Sequence, residues 1–188
     1  MEFARNPGRP RTFLNGAALY DYAVKALGRR MRTQTELRRL MKSRVEPGEP
    51  GEEAINSVFA RLREHGYIDD AAFAETYARL RQENDKLGRR RVRQSLGQKG
   101  VPPEIIDQAV EASYAQTNEE ALALQHLERK RIRKPENEKE TARLIRRLAL
   151  AGFSTGVIYR ILRQWDVPEQ FLSSLESLDS DDREGDSE

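Results

Sequence analysis

The stretch from Gly66 to Val101 constrains the fold more than any other part of this chain. It reads Gly-Tyr-Ile-Asp-Asp-Ala-Ala-Phe-Ala-Glu-Thr-Tyr-Ala-Arg-Leu-Arg, continues through Leu-Gly-Arg-Arg-Arg-Val-Arg, and closes on Gln-Lys-Gly-Val. Two helices with start and stop signals are legible in it. Gly66 suits the left-handed conformation that ends a preceding helix, and Asp69 suits the cap of the next. Phe73, Tyr77 and Leu80 recur at helical spacing and predict a buried face. Leu87, Val92 and Leu96 mark a second apolar face. Arg89, Arg90, Arg91 and Arg93 crowd that second helix, and Gly100 stops it. Aromatic-anchored helices beside a dense basic one predict a surface for something acidic. The stretch carries no catalytic group.

The rest of the chain also reads as helix, with no strand-like alternation. A first helix spans Gly16 to Arg29. Thr33-Gln34-Thr35-Glu36 is a capping-box pattern opening a second, with Leu37, Leu40 and Met41 inward. Pro47-Gly48-Glu49-Pro50-Gly51 is expected to be a loop. The third helix runs from Glu52 to His65, with Ile55, Val58, Phe59 and Leu62 inward. Next come Asp69–Asn84, Gly88–Lys99 and Pro102–Tyr114, with Pro102 at the first helical position. Thr117-Asn118-Glu119-Glu120 is a further capping box. A helix from Asn137 stops at Gly152, and Ser154 caps the last, whose stripe is Val157, Ile158, Ile161, Leu162 and Trp165.

These helices fall into three groups of three. Lys99-Gly100-Val101-Pro102-Pro103-Glu104-Ile105-Ile106 lines up with Ala151-Gly152-Phe153-Ser154-Thr155-Gly156-Val157-Ile158, an offset of 52 residues. Repeats of that length imply stacked helical units, each burying a face on its neighbours. The expected fold is all-α: an elongated, curved tandem array of three three-helix repeats. Its divisions are a flexible arm over 1–15, repeats over 16–68, 69–115 and 116–175, and a disordered acidic tail over 176–188.

Charge is uneven along the 188 residues. Formal net charge is only +2. Residues 176–188 hold seven acidic side chains and one arginine, a balance of −6 that leaves +8 on residues 1–175. A basic body with an acidic tail suits partners that are nucleic acids or acidic protein grooves. Cysteine is absent, which excludes a disulfide framework and thiolate chemistry and fits a reducing cytoplasm. No long apolar run at the N-terminus reads as a signal peptide or a membrane span. Neither His65 nor His126 has a second histidine or a cysteine one turn away. No phosphate loop, nucleophile elbow or zinc signature is present. Neither an enzyme nor a cofactor is expected.

The basic residues recur at the second helix of each group. They are Arg38, Arg39 and Lys42, then Arg89, Arg90, Arg91 and Arg93 with Lys99, then Lys139, Arg143, Arg146 and Arg147. Arg129, Lys130 and Arg131, followed by Arg133 and Lys134, form another cluster. On one helix such a face is most simply a solvated one. Recurrence in three units points to a binding stripe, although arginine grips phosphate and carboxylate equally well. Removing the four arginines of residues 89–93 is expected to leave folding nearly intact.

Gly66-Tyr67-Ile68-Asp69-Asp70, then Phe73-Ala74, Tyr77, Arg81, Gly88 and Lys99-Gly100, resemble the signature of the RecX family, bacterial regulators of the RecA recombinase. The resemblance extends over about residues 17–167 as a tandem helical array. It implies a non-enzymatic, cytoplasmic monomer that binds the RecA filament on single-stranded DNA. It implies limits on filament growth, ATP hydrolysis, strand exchange and co-protease activity. The signature residues Gly66, Tyr67, Asp69, Asp70, Phe73, Tyr77, Arg81, Gly88 and Gly100 are expected to be mainly structural. Direct DNA contact stays open from the residues alone. Two other readings stand beside this one, a direct nucleic-acid-binding helical protein and a generic helical adaptor. The basic helices hold mainly Arg and little Asn or Gln, which favours phosphate or carboxylate contact over base reading.

Overall fold

The structure is a computed structural model and describes residues 13–172. The acidic tail and most of the N-terminal arm lie outside the described residues. Those described fold as nine α-helices and one 3-10 turn, without a strand. They belong to two compact units that meet in sequence between Asp70 and Ala71.

The first unit contains α1 (Gly16–Arg29), α2 (Gln34–Lys42) and α3 (Glu49–Glu64). Local side-chain oxygens open two of them. Asn15 accepts the Ala18 N–H at 3.0 Å, and Thr33 accepts the Glu36 N–H at 3.1 Å. Each satisfies a donor that the first helical turn leaves orphaned. Leu19, Ala23, Leu37, Met41, Ile55, Phe59 and Leu62 meet in a core that also takes in Ile68. The Pro/Gly stretch is not wholly a loop. α3 begins three residues earlier than expected, at Glu49, and holds Pro50 in its first turn. A proline there gives up an N–H that would have had no partner in any case.

The second unit contains α4 (Asp70–Asp85) apart from its first residue, α5 (Arg89–Gln98), α6 (Pro103–Tyr114), α7 (Glu119–Arg129), α8 (Glu138–Leu150) and α9 (Thr155–Gln164), followed by the 3-10 turn Glu169–Phe171. One continuous core runs from Phe73, Val92 and Leu96 through Val110 and Tyr114 to Leu127, Ile145, Phe153 and Ile161. The second and third three-helix groups therefore share their interior.

Three local expectations differ from the structure. Leu80 is 41% exposed. The stripe that α4 buries is Phe73, Ala74 and Ala78, with Tyr77 half-buried against it. Leu80 lies off that stripe, and its size is no guide to its direction. Pro102 stands at the cap, and Pro103 is the first residue of α6. α7 is capped by Asn118, whose side chain accepts the N–H groups of Glu120 and Ala121. Thr117 instead accepts a hydrogen bond from the Gln82 side-chain amide.

Five helices end in the same way. Gly66, Gly100 and Gly152 have φ of +67°, +75° and +91°, and Arg131 and Asp166 have +52° and +50°. In each case the next residue's N–H reaches back to the carbonyl five positions earlier, as in Ile132 to Leu127 at 2.9 Å. This Schellman closure satisfies the terminal carbonyls and turns the chain sharply. It uses glycine three times and a charged side chain twice.

Candidate functional site

The signature residues acquire separate structural reasons. Asp70, the last residue of the first unit, is buried and accepts the Gln34 N–H at 3.0 Å, supplementing the cap of α2. Burial pushes its carboxyl above the usual carboxylate range. Phe73 and Tyr77 stack with centroids 5.9 Å apart. The Lys99 ammonium lies 5.8 and 5.6 Å from those two rings. The Arg81 guanidinium lies 4.8 Å from Tyr77 and pairs with Asp85 at 2.6 Å. Cation and ring attract through the ring's quadrupole, so Lys99 ties the end of α5 to α4, while Arg81 braces α4 internally. Gly88 donates its N–H to Ala151 O at 2.8 Å. A Cβ built at Gly88 would fall 2.3 Å from Gly152 O, and one at Gly152 would fall 2.3 Å from Arg91 N. Two backbone turns touch at this point and leave no room for any side chain.

Tyr67 departs from the packing role expected of it. It is 49% exposed and meets the edge of His65 at 6.3 Å. Val101, Phe153 and Val167, which follow the same helix closure elsewhere, are buried. Asp69 is the exposed residue immediately before α4.

The basic residues divide into those held by the fold and those presented by it. Arg38 pairs with Glu52 at 2.8 Å, bonds Asn56 at 2.7 Å and covers the Phe59 ring at 5.1 Å. Lys42 reaches the other oxygen of Glu52 at 2.8 Å, and Lys42 and then Arg38 hold that carboxyl below the usual range. Arg39 is exposed. On α5, Arg89 bonds Glu119 at 2.5 Å, lies 3.5 Å from Glu111 and covers Tyr114 at 5.7 Å. Arg93 reaches Asp107 at 3.3 Å, and Arg91 bonds Gln94 on its own helix at 2.7 Å. Arg90 is exposed. Arg89 therefore links α5 to α6 and α7, contacts that the expectation for the residue 89–93 arginines did not include.

A different set converges. The loop after α7 and one face of α8 enclose an open cleft of about 430 Å³. Lys130, Arg131, Arg133 and Lys134 line one side, and Arg143 and Arg147 the other. Ile132, Pro135 and Leu144 complete the wall. The two carboxylates at the cleft are Glu136 and Glu140, and Glu140 already accepts the Glu136 N–H at 3.0 Å. None of the six cations makes an ion pair with another described residue. Arg129 is turned away towards Asp85 at 3.9 Å, and exposed Arg146 bonds the Ala142 carbonyl of its own helix at 3.2 Å. The individual cations were visible in the sequence, but their meeting was not. α8 presents Glu140, Arg143, Leu144 and Arg147 at helical spacing, so its own face was legible, whereas the fold of the 130–136 loop onto it was not.

Among the described residues, no group of His, Asp and Glu could hold a metal ion, and no helix is long and apolar enough to cross a membrane.

Comparison with known proteins agrees with the signature. The family model described as RecX, second three-helix domain, matches residues 69–110. The Regulatory protein RecX of Thermobifida fusca is 34% identical over 75% of this chain and 75% of its own. That of Streptomyces coelicolor is 33% identical over 71% of this chain and 69% of its own. Among solved structures, RecX from Lactobacillus salivarius superposes with a TM-score of 0.64 at 20% identity, covering 81% of this chain and 97% of that one. A second RecX crystal structure gives 0.64 at 28% identity, over 79% of this chain and 73% of its own. With a signature explained residue by residue, relatives a third identical over most of their length and the same helical fold, this chain belongs to the RecX family of regulatory proteins.

Proposed function

We propose that this protein is a non-enzymatic regulator of the RecA recombinase. It binds the active filament on single-stranded DNA and limits filament growth, ATP hydrolysis, strand exchange and co-protease activity. It acts in the cytoplasm as a monomer without a cofactor and so modulates homologous recombination, DNA repair and the SOS response. The observation that carries this reading is membership of a family named for regulation. Exposed cations on both units support it, among them Arg39 in the first and Arg90, Arg143 and Arg147 in the second. A filament offers the same acidic features many times over. Several weak contacts made by one chain then add through linkage.

The test is a pull-down with RecA in three states: free, with an ATP analogue alone, and with single-stranded DNA plus the analogue. Retention should be strongest in the third state. Equal retention in all three, or none, would remove the filament as the target. A direct nucleic-acid contact is the second reading, and the cation cleft beside α8 favours it.

A further inference from the structure

We propose that the cleft between the α7–α8 loop and α8 is a binding site for the phosphodiester backbone of single-stranded nucleic acid. The juxtaposition is of six cations that have no ion pair among the described residues, four from residues 130–134 and two from one face of α8, around a cleft of about 430 Å³. Opposed rows of cations suit a linear polyanion, which presents charge to both sides at once. Arg143 and Arg147 stand four residues apart, about 6 Å along the helix axis, so each can meet its own phosphate. The lining contains no Asn, Gln, Ser, Thr or aromatic side chain. It therefore offers no aromatic platform to stack a base and no amide to pair with adenine, and its cations suit the backbone. The cleft's size limits it to a few phosphates.

Arg131 supplies an independent argument. It occupies the left-handed closing position of α7, with φ +52°. Gly66, Gly100 and Gly152 fill that position after α3, α5 and α8, where it carries no steric penalty, and Asp166 fills it after α9. An arginine at φ +52° is held there against its own backbone preference. Its side chain lines the cleft. Stability alone would favour glycine at this place, whereas a cation anchored on a rigid turn suits anion binding.

This site needs no RecA, so its test is separable from that of the filament reading. The full chain is titrated against a labelled oligo-dT 20-mer by fluorescence anisotropy over a salt series, and each variant is melted by circular dichroism. Arg131→Gly should melt at the same temperature or higher and bind at least 5-fold more weakly. Arg143→Ala with Arg147→Ala should weaken binding further. The slope of log affinity against log salt should become shallower by about 0.7 for each phosphate that the variant no longer neutralises. Arg146→Ala, on the same helix but outside the cleft, should change affinity less than twofold. The idea fails if Arg146→Ala weakens binding as much as Arg131→Gly, because net charge alone would then explain it. It also fails if poly-glutamate competes as well as the oligonucleotide at equal charge, which would make the cleft a site for acidic protein. Equal competition by tripolyphosphate or ATP at matched phosphate concentration would assign it to free phosphates instead.

Discussion

Gly88 and His126 show how closely single positions in the second unit are held. Gly88 has an extended backbone that any residue could adopt, with φ −73°, so its requirement is space and not conformation. A methyl group there would meet the Gly152 and Phe153 backbone at 2.3 to 2.8 Å. Gly88→Ala should therefore cost about 1–3 kcal/mol or more, because two turns must part and the bond to Ala151 O must stretch. Gly97→Ala is the control: its added Cβ would meet nothing nearer than Ile106 Cδ1 at 4.0 Å. It should stabilise the helix by about 0.5–1 kcal/mol. Urea melts of the two variants test the pair, and equal stabilities would show that the turns are free to separate. His126 is buried, directs Nδ1 at the Asp85 carbonyl at 3.2 Å and meets Phe153 edge-on at 5.9 Å. Burial pulls its pKa below 6.5, and the positive charges of Lys130 and Arg129 act in the same direction, against the Asp85 hydrogen bond. Its neutral form is the one the fold accepts, so its stability contribution is complete above pH 6.5 and is lost as pH falls below it. Melts at pH 7.5 and 5.5 should show a larger acid loss for the parent than for His126→Gln. Identical losses would mean that the ring titrates as it does in the unfolded chain.

At the scale of the element, α5 shows how a basic helix divides its charges. Arg89 is directed at Glu119, Glu111 and Tyr114, whereas Arg90 is exposed and Arg91 bonds within its own helix. Arg89→Ala should cost about 1.5–3 kcal/mol, since Glu119 would lose a charged hydrogen-bond partner at a half-buried site. Arg90→Ala with Arg91→Ala and Arg93→Ala should cost less than about 1 kcal/mol, because the Arg93–Asp107 pair is exposed. The triple variant should nevertheless bind the RecA filament more weakly. Thermal melts and the three-state pull-down separate the two effects. A triple variant that melts early, or an Arg89→Ala that melts with the parent, would reverse the assignment. The capping residues Asn15, Thr33, Asn137 and Ser154 are the other lesson at this scale. Thr33 and Ser154 were legible as caps, and Asn137 as a helix start, because a cap acts on N–H groups two or three residues away. Thr117 misled because Asn118 beside it is an equally good cap, and a long-range bond from Gln82 occupies the threonine.

Across the whole molecule, the two cores have no residue in common. Residues 1–175 hold a net +8 and residues 176–188 a net −6. A tethered polyanion competes with any external one for the same cations at high local concentration. Deleting residues 176–188 should raise affinity for single-stranded oligonucleotide, most at low salt, because screening sets in beyond about 8 Å at physiological ionic strength. Filament binding should change less. Identical affinities for truncated and full-length protein across a salt series would leave the tail without a competing role.

The sequence by itself determined which segments are helical, where most of them stop and which family they belong to. Helical periodicity, caps and glycine closures act within about five residues of chain, so they are written locally. Tertiary structure alone decided which cations are bound by the fold and which are presented by it. Arg38 meets Glu52 from 14 residues away and Arg89 meets Glu119 from 30. The same distance problem hid the contact between Gly88 and Gly152 and the exposure of Leu80, and it hid the folding of residues 130–134 against Arg143 and Arg147. Each depends on how helices pack after they form, and an arginine's neighbours in sequence carry no record of the carboxylate, or the open cleft, that packing places beside it.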